Sequence, residues 1–382
     1  MTGLFYMLKV LLFISIQIVS NLALAQDVLF VLYDAGETKG MQNLIEHYNQ
    51  TGVDVKVLTF GTAAEVYQGA NKVELNKILG EEVVVKKLWR RDQTIEPKHI
   101  EILKNKFQPK VLITGTVSAL QKQVATELDV ATLRAGFFDA FSRVSEKHPI
   151  KDFTSVLDEV WIPSKLQEDE FKKLSFKKVK VTGHGSLNDW QVRLSTKEKA
   201  QITSVLRLDQ KKPTITYIGG YGESYEKGLR YFLKSIDSSQ DYNIVISLHP
   251  KVDGTVEAKI LEEMGKREVI IAPKYIPTQK ITALSEFVIT QNSTVGVQVL
   301  VQEKNVIYFH LNTRYKNIAI ENGAAFQTAN PKALNEYLKN PPKVEIKNLG
   351  IPQNSLESFL RGLPEGLNQA NFCSQAFQLK KV

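Results

Sequence analysis

The sequence predicts an α/β protein made of two successive doubly wound domains, each a parallel sheet covered by helices and together facing a cleft. Three observations carry this. Short continuous apolar runs alternate with helical patterns, as strands buried on both faces require. A polar stretch, Asn188–Lys212, interrupts the alternation, after which the same pattern restarts. The 382 residues also suffice for two cores at about 150 residues per domain.

Asp27–Tyr33 (DVLFVLY) is the first strand; it ends in Asp34-Ala35-Gly36-Glu37, and a helical pattern continues through Tyr48. Val53–Phe60, Lys110–Ile113, Ala131–Phe137, Glu159–Ile162 and Val179–Thr182 follow as strands, giving a first domain over residues 26–187. The crossing, 188–212, holds charged helical residues and ends in Lys211-Lys212-Pro213. In the second domain, 213–340, Thr214–Ile218 runs into Gly219-Gly220-Tyr221-Gly222, Tyr225–Ile236 is a helix, and Asn243–Leu248 ends at His249-Pro250. Val269–Ala272, Phe287–Thr290 and Asn305–Phe309 are its further strands. The tail, 341–382, contains a helix at Leu356–Leu360 and can cross back to the first domain.

Residues 1–25 predict a cleavable signal peptide: Lys9, an apolar core Val10–Val19, then Ala23-Leu24-Ala25 before Gln26. A retained anchor is the rival, since Leu4–Ala25 approaches bilayer-spanning length, but Gln17, Ser20 and Asn21 interrupt it. The expected location is periplasmic or secreted. The single cysteine, Cys373, excludes an internal disulfide. A formal net charge of +8 is spread over pairs such as Lys86-Lys87, Arg90-Arg91 and Lys172-Lys173 without interleaved aromatics, which argues against nucleic acid and leaves open peripheral contact with an anionic envelope surface. Zinc-like Cys/His spacing, a phosphate-loop signature and a serine elbow are all absent, so neither a metal nor a cofactor is expected.

Ligands of doubly wound sheets bind at the carboxyl ends of the strands, which selects the candidates. Gln291-Asn292-Ser293-Thr294-Val295-Gly296 joins a buried strand to an apolar helical run, so Ser293 and Thr294 suit a phosphate; simple helix capping is the alternative. Gly220 can bring backbone close to a ligand, or serve only a tight turn. His184, between Gly183 and Gly185, is expected where the domains meet with an accessible ring. Asp34, Gly36 and Glu37 after the first strand and Asp139 after the Ala131–Phe137 strand can converge on an acceptor or act as base. Capping and turn formation explain each carboxylate equally well.

DEVWIPSKLQEDEFKKL and VKVTGHGSLNDW (Asp158–Trp190), with ITYIGGYGESY, LHPKVDG and SEFVITQNSTVGVQVLVQEKNVIYF, resemble the GT-B superfamily of glycosyltransferases, UDP-N-acetylglucosamine 2-epimerases and polyol-phosphate polymerases. The resemblance implies two Rossmann-like domains across a cleft and a nucleotide-sugar or sugar-phosphate ligand. It also implies a glycan acceptor, with Glu37, Asp139 and His184 as catalytic candidates and Gly36, Gly220, His249, Ser293, Thr294 and Gln298 as binding candidates. It places His249 near donor phosphates, and Gln298 where a helix glutamate usually accepts from the ribose. The implied function is sugar transfer or modification of a glycan or envelope polymer, inverting and metal-independent. A noncatalytic exported binder of phosphorylated sugars, or a solute-binding protein, is the rival.

Overall fold

The computed structural model describes residues 26–80, 91–145, 147–236, 241–311, 315–342, 348–364 and 367. The expected signal peptide, 1–25, and Cys373 lie outside them. The first sheet holds β1 (Val28–Leu32), β2 (Val55–Thr59), β3 (Lys72–Glu74), β4 (Val111–Gly115), β5 (Leu133–Phe137), β6 (Glu159–Ile162) and β7 (Val179–Val181) in the order β3-β2-β1-β4-β5-β6-β7. The second holds β8 (Thr214–Ile218), β9 (Asn243–Ser247), β10 (Ile270–Ile271), β11 (Phe287–Thr290), β12 (Asn305–Phe309) and β13 (Phe326–Thr328) in the order β10-β9-β8-β11-β12-β13. All pairings within the two sheets are parallel.

The central strands form where the sequence is apolar on both faces. Every residue of β1, β4, β8 and β11 is buried. Two short strands, β3 and β13, carry no such run; both are edge strands and mostly half-buried. In each sheet the strand order reverses beside the first strand, between β1 and β4 and between β8 and β11. Such reversals open a crevice at the carboxyl ends.

The halves are joined at several points. Phe141, Leu187 and Trp190 pack with Val288, Val297 and Tyr308 in one apolar cluster. Arg143 forms ion pairs with Glu170, at 3.0 Å, and with Glu321, and Ser142 bridges Asn317. The helix Ser355–Leu360 lies on the first sheet, where Phe359 and Leu360 join the core around Phe30, Phe137 and Trp161. Phe359 is completely buried. Its replacement by alanine would cost roughly 3–5 kcal/mol and free this returning segment.

Candidate active site

The carboxyl ends of β1, β4 and β5 open onto a cleft of about 900 Å³, and Thr294, from the loop after β11, completes its wall. Asp34, Arg91, Thr116, Ser118, Asp139 and His148 supply much of the polar lining.

Asp34 caps the helix Ala35–Thr51: its Oδ1 accepts from the Glu37 amide at 3.0 Å. The Glu37 Oε2 accepts in return from the Asp34 amide at 3.4 Å, from the Tyr33 amide at 3.0 Å and from Gln121 Nε2 at 2.8 Å. Gln121 closes the capping box of the helix Ala119–Glu127, so Glu37 ties two helix starts together at the crevice. It is fully buried, and its Oε1 has no hydrogen-bond partner. Burial first, then the charges of Asp34 and Asp139, raise its pKa well above the ordinary carboxylate range. Glu37 thus organises the site from beneath and does not line the cleft.

Asp139 lines the cleft. Burial, followed by the charge of Asp34, pushes its pKa to about 8, against a smaller downward pull from Arg91. A Cβ on Gly36 would lie 2.1 Å from Asp139 Oδ2 and 3.4 Å from Asp34 Oδ1, so both carboxylates converge over that bare backbone. The Asp34 charge this close disfavours ionisation of Asp139 and adds to the effect of burial. Gly115 has a similar role beneath: a Cβ there would meet the Glu37 carboxyl at 1.9 Å.

In the second sheet, Ser293 turns its Oγ to accept from the Val295 amide at 3.2 Å, which is the capping reading of this loop, while Thr294 lines the cleft. The helix that follows, Val295–Val299, is short, and its dipole contributes little. His249 is half-buried and its Nδ1 accepts from the Lys251 amide at 3.1 Å. Burial, then Lys251 and Lys274, lower its pKa to about 4, so its ring is neutral at pH 7. Tyr221 meets this ring edge-on at 4.8 Å, and Lys251 Nζ lies over the Tyr221 ring, 5.1 Å from its centre. Gly220 packs against the Tyr225 ring, where a Cβ would come within 2.8 Å.

Solved structures share this two-sheet fold. S. aureus MnaA in its UDP co-structure superposes with a TM-score of 0.61 at 12% identity, covering 87% of this chain and 94% of that one. The Neisseria meningitidis UDP-GlcNAc 2-epimerase bound to UDP-GlcNAc gives 0.59 at 14%, covering 86% and 95%. The wall teichoic acid polymerase TagF gives 0.52 at 14%, covering 84% and 80%. The chain has the GT-B fold. A family model described as capsule polysaccharide biosynthesis protein matches residues 164–315 of this GT-B chain. No curated protein sequence matches it.

Within the GT-B frame, two expected residues besides Glu37 stand differently from the picture the sequence suggested. His184 is only 3% exposed rather than accessible, and burial lowers its pKa to about 4. The reason is packing: its ring lies between Phe137, at 5.6 Å, and Phe141, at 5.5 Å. Gln298 is also buried, and its Nε2 donates to Ser186 Oγ at 2.7 Å instead of facing the cleft. Nothing in the sequence marks Arg91 or His148 as cleft residues. Thr116 and Ser118 were findable, because they directly follow β4, which pairs with β1 at the reversal.

Proposed function

We propose that this GT-B chain transfers a nucleotide-activated sugar onto a glycan, by an inverting and metal-independent reaction. One observation carries the reading: the Asp34 and Asp139 carboxylates, with Asp139 titrating near pH 8, share a cleft with Thr294 of the opposite sheet. A carboxylate with a pKa near the working pH is a far better base toward a hydroxyl than an ordinary aspartate. The acceptor oxygen bonds to the anomeric carbon of the sugar while the bond from that carbon to the phosphate oxygen breaks. The hydroxyl proton passes to Asp139, and the nucleotide departs with the bonding electrons. The loop Asn292–Gly296 holds the phosphate, and Lys39 and Lys274, which border a second pocket of about 290 Å³, add positive charge from the two domains. Relatives in complex with UDP and UDP-GlcNAc, and TagF soaked with CDPG, support a nucleotide-linked donor. The capsule polysaccharide model supports a glycan product.

The test is nucleotide release from a panel of nucleotide-activated sugars with glycan acceptors, in the presence of EDTA. Acceptor-dependent release that Asp139→Asn lowers at least a hundredfold is the expected result. Binding without turnover across the panel would replace the enzyme with the noncatalytic binder.

We further propose that residues 1–25 are removed and that the protein works outside the cytoplasm, in peripheral contact with an anionic envelope surface. Gln26 supports a start at that position: its side chain accepts from the Gln108 amide at 3.1 Å and donates to the Lys106 carbonyl at 3.3 Å, contacts a chain beginning there retains. Terminal sequencing of the purified protein that finds residues 1–25 still attached would overturn it.

A further inference from the structure

We propose that Gln298, Ser186 and His184 form a buried positioning relay that sets the second sheet's phosphate-holding loop against the backbone of Asp139, and that Gln298 serves this relay rather than the ribose of a nucleotide. The kinetic consequences rest on the transferase reading above; the relay itself does not.

The direction of each link follows from the chemistry of the groups. The Gln298 amide nitrogen can only donate, and it does so to Ser186 Oγ at 2.7 Å. The Ser186 hydroxyl proton is then directed to His184 Nδ1, 2.8 Å away. With Nδ1 accepting, the imidazole proton is on Nε2, and the ring sits beside the backbone of Asp139, which opposes the lowering of its pKa by burial. Three side chains thereby connect the helix that follows Thr294 to the residue carrying the cleft's base.

All three are buried: Gln298 is 8% exposed, Ser186 2% and His184 3%. A buried polar chain of this kind has one satisfied arrangement, because turning any member orphans its neighbour. The surroundings prevent relaxation, since Phe137 and Phe141 flank the imidazole and a Cβ on Gly40 would already lie 3.0 Å from Nε2. Thr294, one helical turn before Gln298, lines the cleft, so the relay fixes the far side of the turn that presents it. A ribose contact would need the Gln298 amide in the cleft, and its nitrogen is already engaged on the other side.

Gln298→Glu separates the two roles. A carboxylate cannot donate, so the Ser186 hydroxyl must turn toward it and leave His184 Nδ1 without its donor. In the full-length protein, ¹⁵N NMR of the imidazoles should show His184 as the Nε2–H tautomer with a hydrogen-bonded Nδ1, and Gln298→Glu should move that Nδ1 resonance. Gln298→Glu and Ser186→Ala should each lower kcat about tenfold or more while changing the KM for donor less than twofold, the double variant should be no worse than either, and Ser186→Thr should retain most of kcat. An unmoved Nδ1 resonance, additive losses, or a raised donor KM at constant kcat would overturn the relay in favour of a ligand contact. If the wild type turns over no donor, the transferase reading fails on its own, and the NMR result still decides the relay.

Discussion

The two sheets share one strand order around their reversals and differ in what they place there. At the first reversal three carboxyl groups, Asp34, Glu37 and Asp139, crowd together, and burial with mutual repulsion raises the pKa values of Glu37 and Asp139. At the second stand hydroxyls, amides and a histidine whose pKa burial and nearby lysines lower to about 4. The first half is built to hold a proton at neutral pH, the second to stay uncharged or positive. Topology makes both crevices, and the side chains after the strands make one rich in carboxyl groups and the other in hydroxyls and amides.

The largest break in that contrast is Asp139→Asn, which keeps the shape and removes the proposed base. Loss of a general base costs about 10²–10⁴ in rate, so turnover should fall at least a hundredfold with donor binding preserved. Steady-state kinetics alongside donor titration measures both. Equal loss of donor affinity would mean that Asp139 contacts the donor and is not the base.

Gly36→Ala reaches the same carboxylate without touching its chemistry. The new Cβ would overlap Asp139 Oδ2, the far end of a side chain that can move, so the base should be displaced while the domain still folds. A kcat lowered roughly tenfold or more, with an unchanged circular dichroism spectrum, is the expected outcome. Unaltered kcat would show that the position of Asp139 does not matter.

How far the sequence reveals this molecule depends on whether a residue's role is local. Glu159–Ile162, Thr214–Ile218, Phe287–Thr290 and Asn305–Phe309 are legible as strands because their apolar runs match what a doubly covered sheet requires. The edge strands Lys72–Glu74 and Phe326–Thr328 are not, because three half-buried residues leave no period to read. Asp34, Glu37 and Asp139 are legible as candidates from their places after strands. Their separation into a cap and a cleft pair needs the Gly36 and Gly115 contacts, which join residues about 80 to 100 positions apart in sequence. Arg91 and His148 reach the cleft from loops without any recurring pattern. Gln298 and His184 look like ligand residues in one dimension and prove to face one another through Ser186.

On the second sheet the sharpest probe is Thr294→Asp. It sets a like charge against a bound phosphate at a loop whose capping rests on Ser293 and not on Thr294. A donor at about 100 times its dissociation constant adds roughly 2.7 kcal/mol to the wild type, a rise of roughly 3–4 °C in Tm for a chain of this size. The variant should melt near the unliganded wild type and show little of that rise. A full thermal shift in Thr294→Asp would reduce the loop to a helix cap.

The remaining effect is on unliganded stability, and it should have opposite signs for Asp139 and His249. Asp139 has a folded pKa of about 8 against an ordinary value of 3.8, so between those limits the folded protein holds a proton that the unfolded chain has released. Its contribution is therefore full below about pH 4 and is lost as pH rises through 8, at up to roughly 1.4 kcal/mol per pH unit where the difference is a whole proton. His249 is the reverse: its pKa falls from 6.5 to about 4 on folding, so its contribution is present above pH 6.5 and is lost as pH falls toward 4. His184, lowered to about 4 by burial, adds to the same acid limb. Denaturant unfolding from pH 5 to 9 should give a stability maximum in the middle of that range, with Asp139→Asn flattening the alkaline limb and His249→Gln softening the acid one. Because asparagine removes a buried ionisation without removing the side chain, Asp139→Asn should also be more stable than the wild type at pH 8 while less active. An alkaline limb left undiminished by Asp139→Asn would place the proton on Glu37, whose pKa burial also raises, and would take the proposed base away from Asp139.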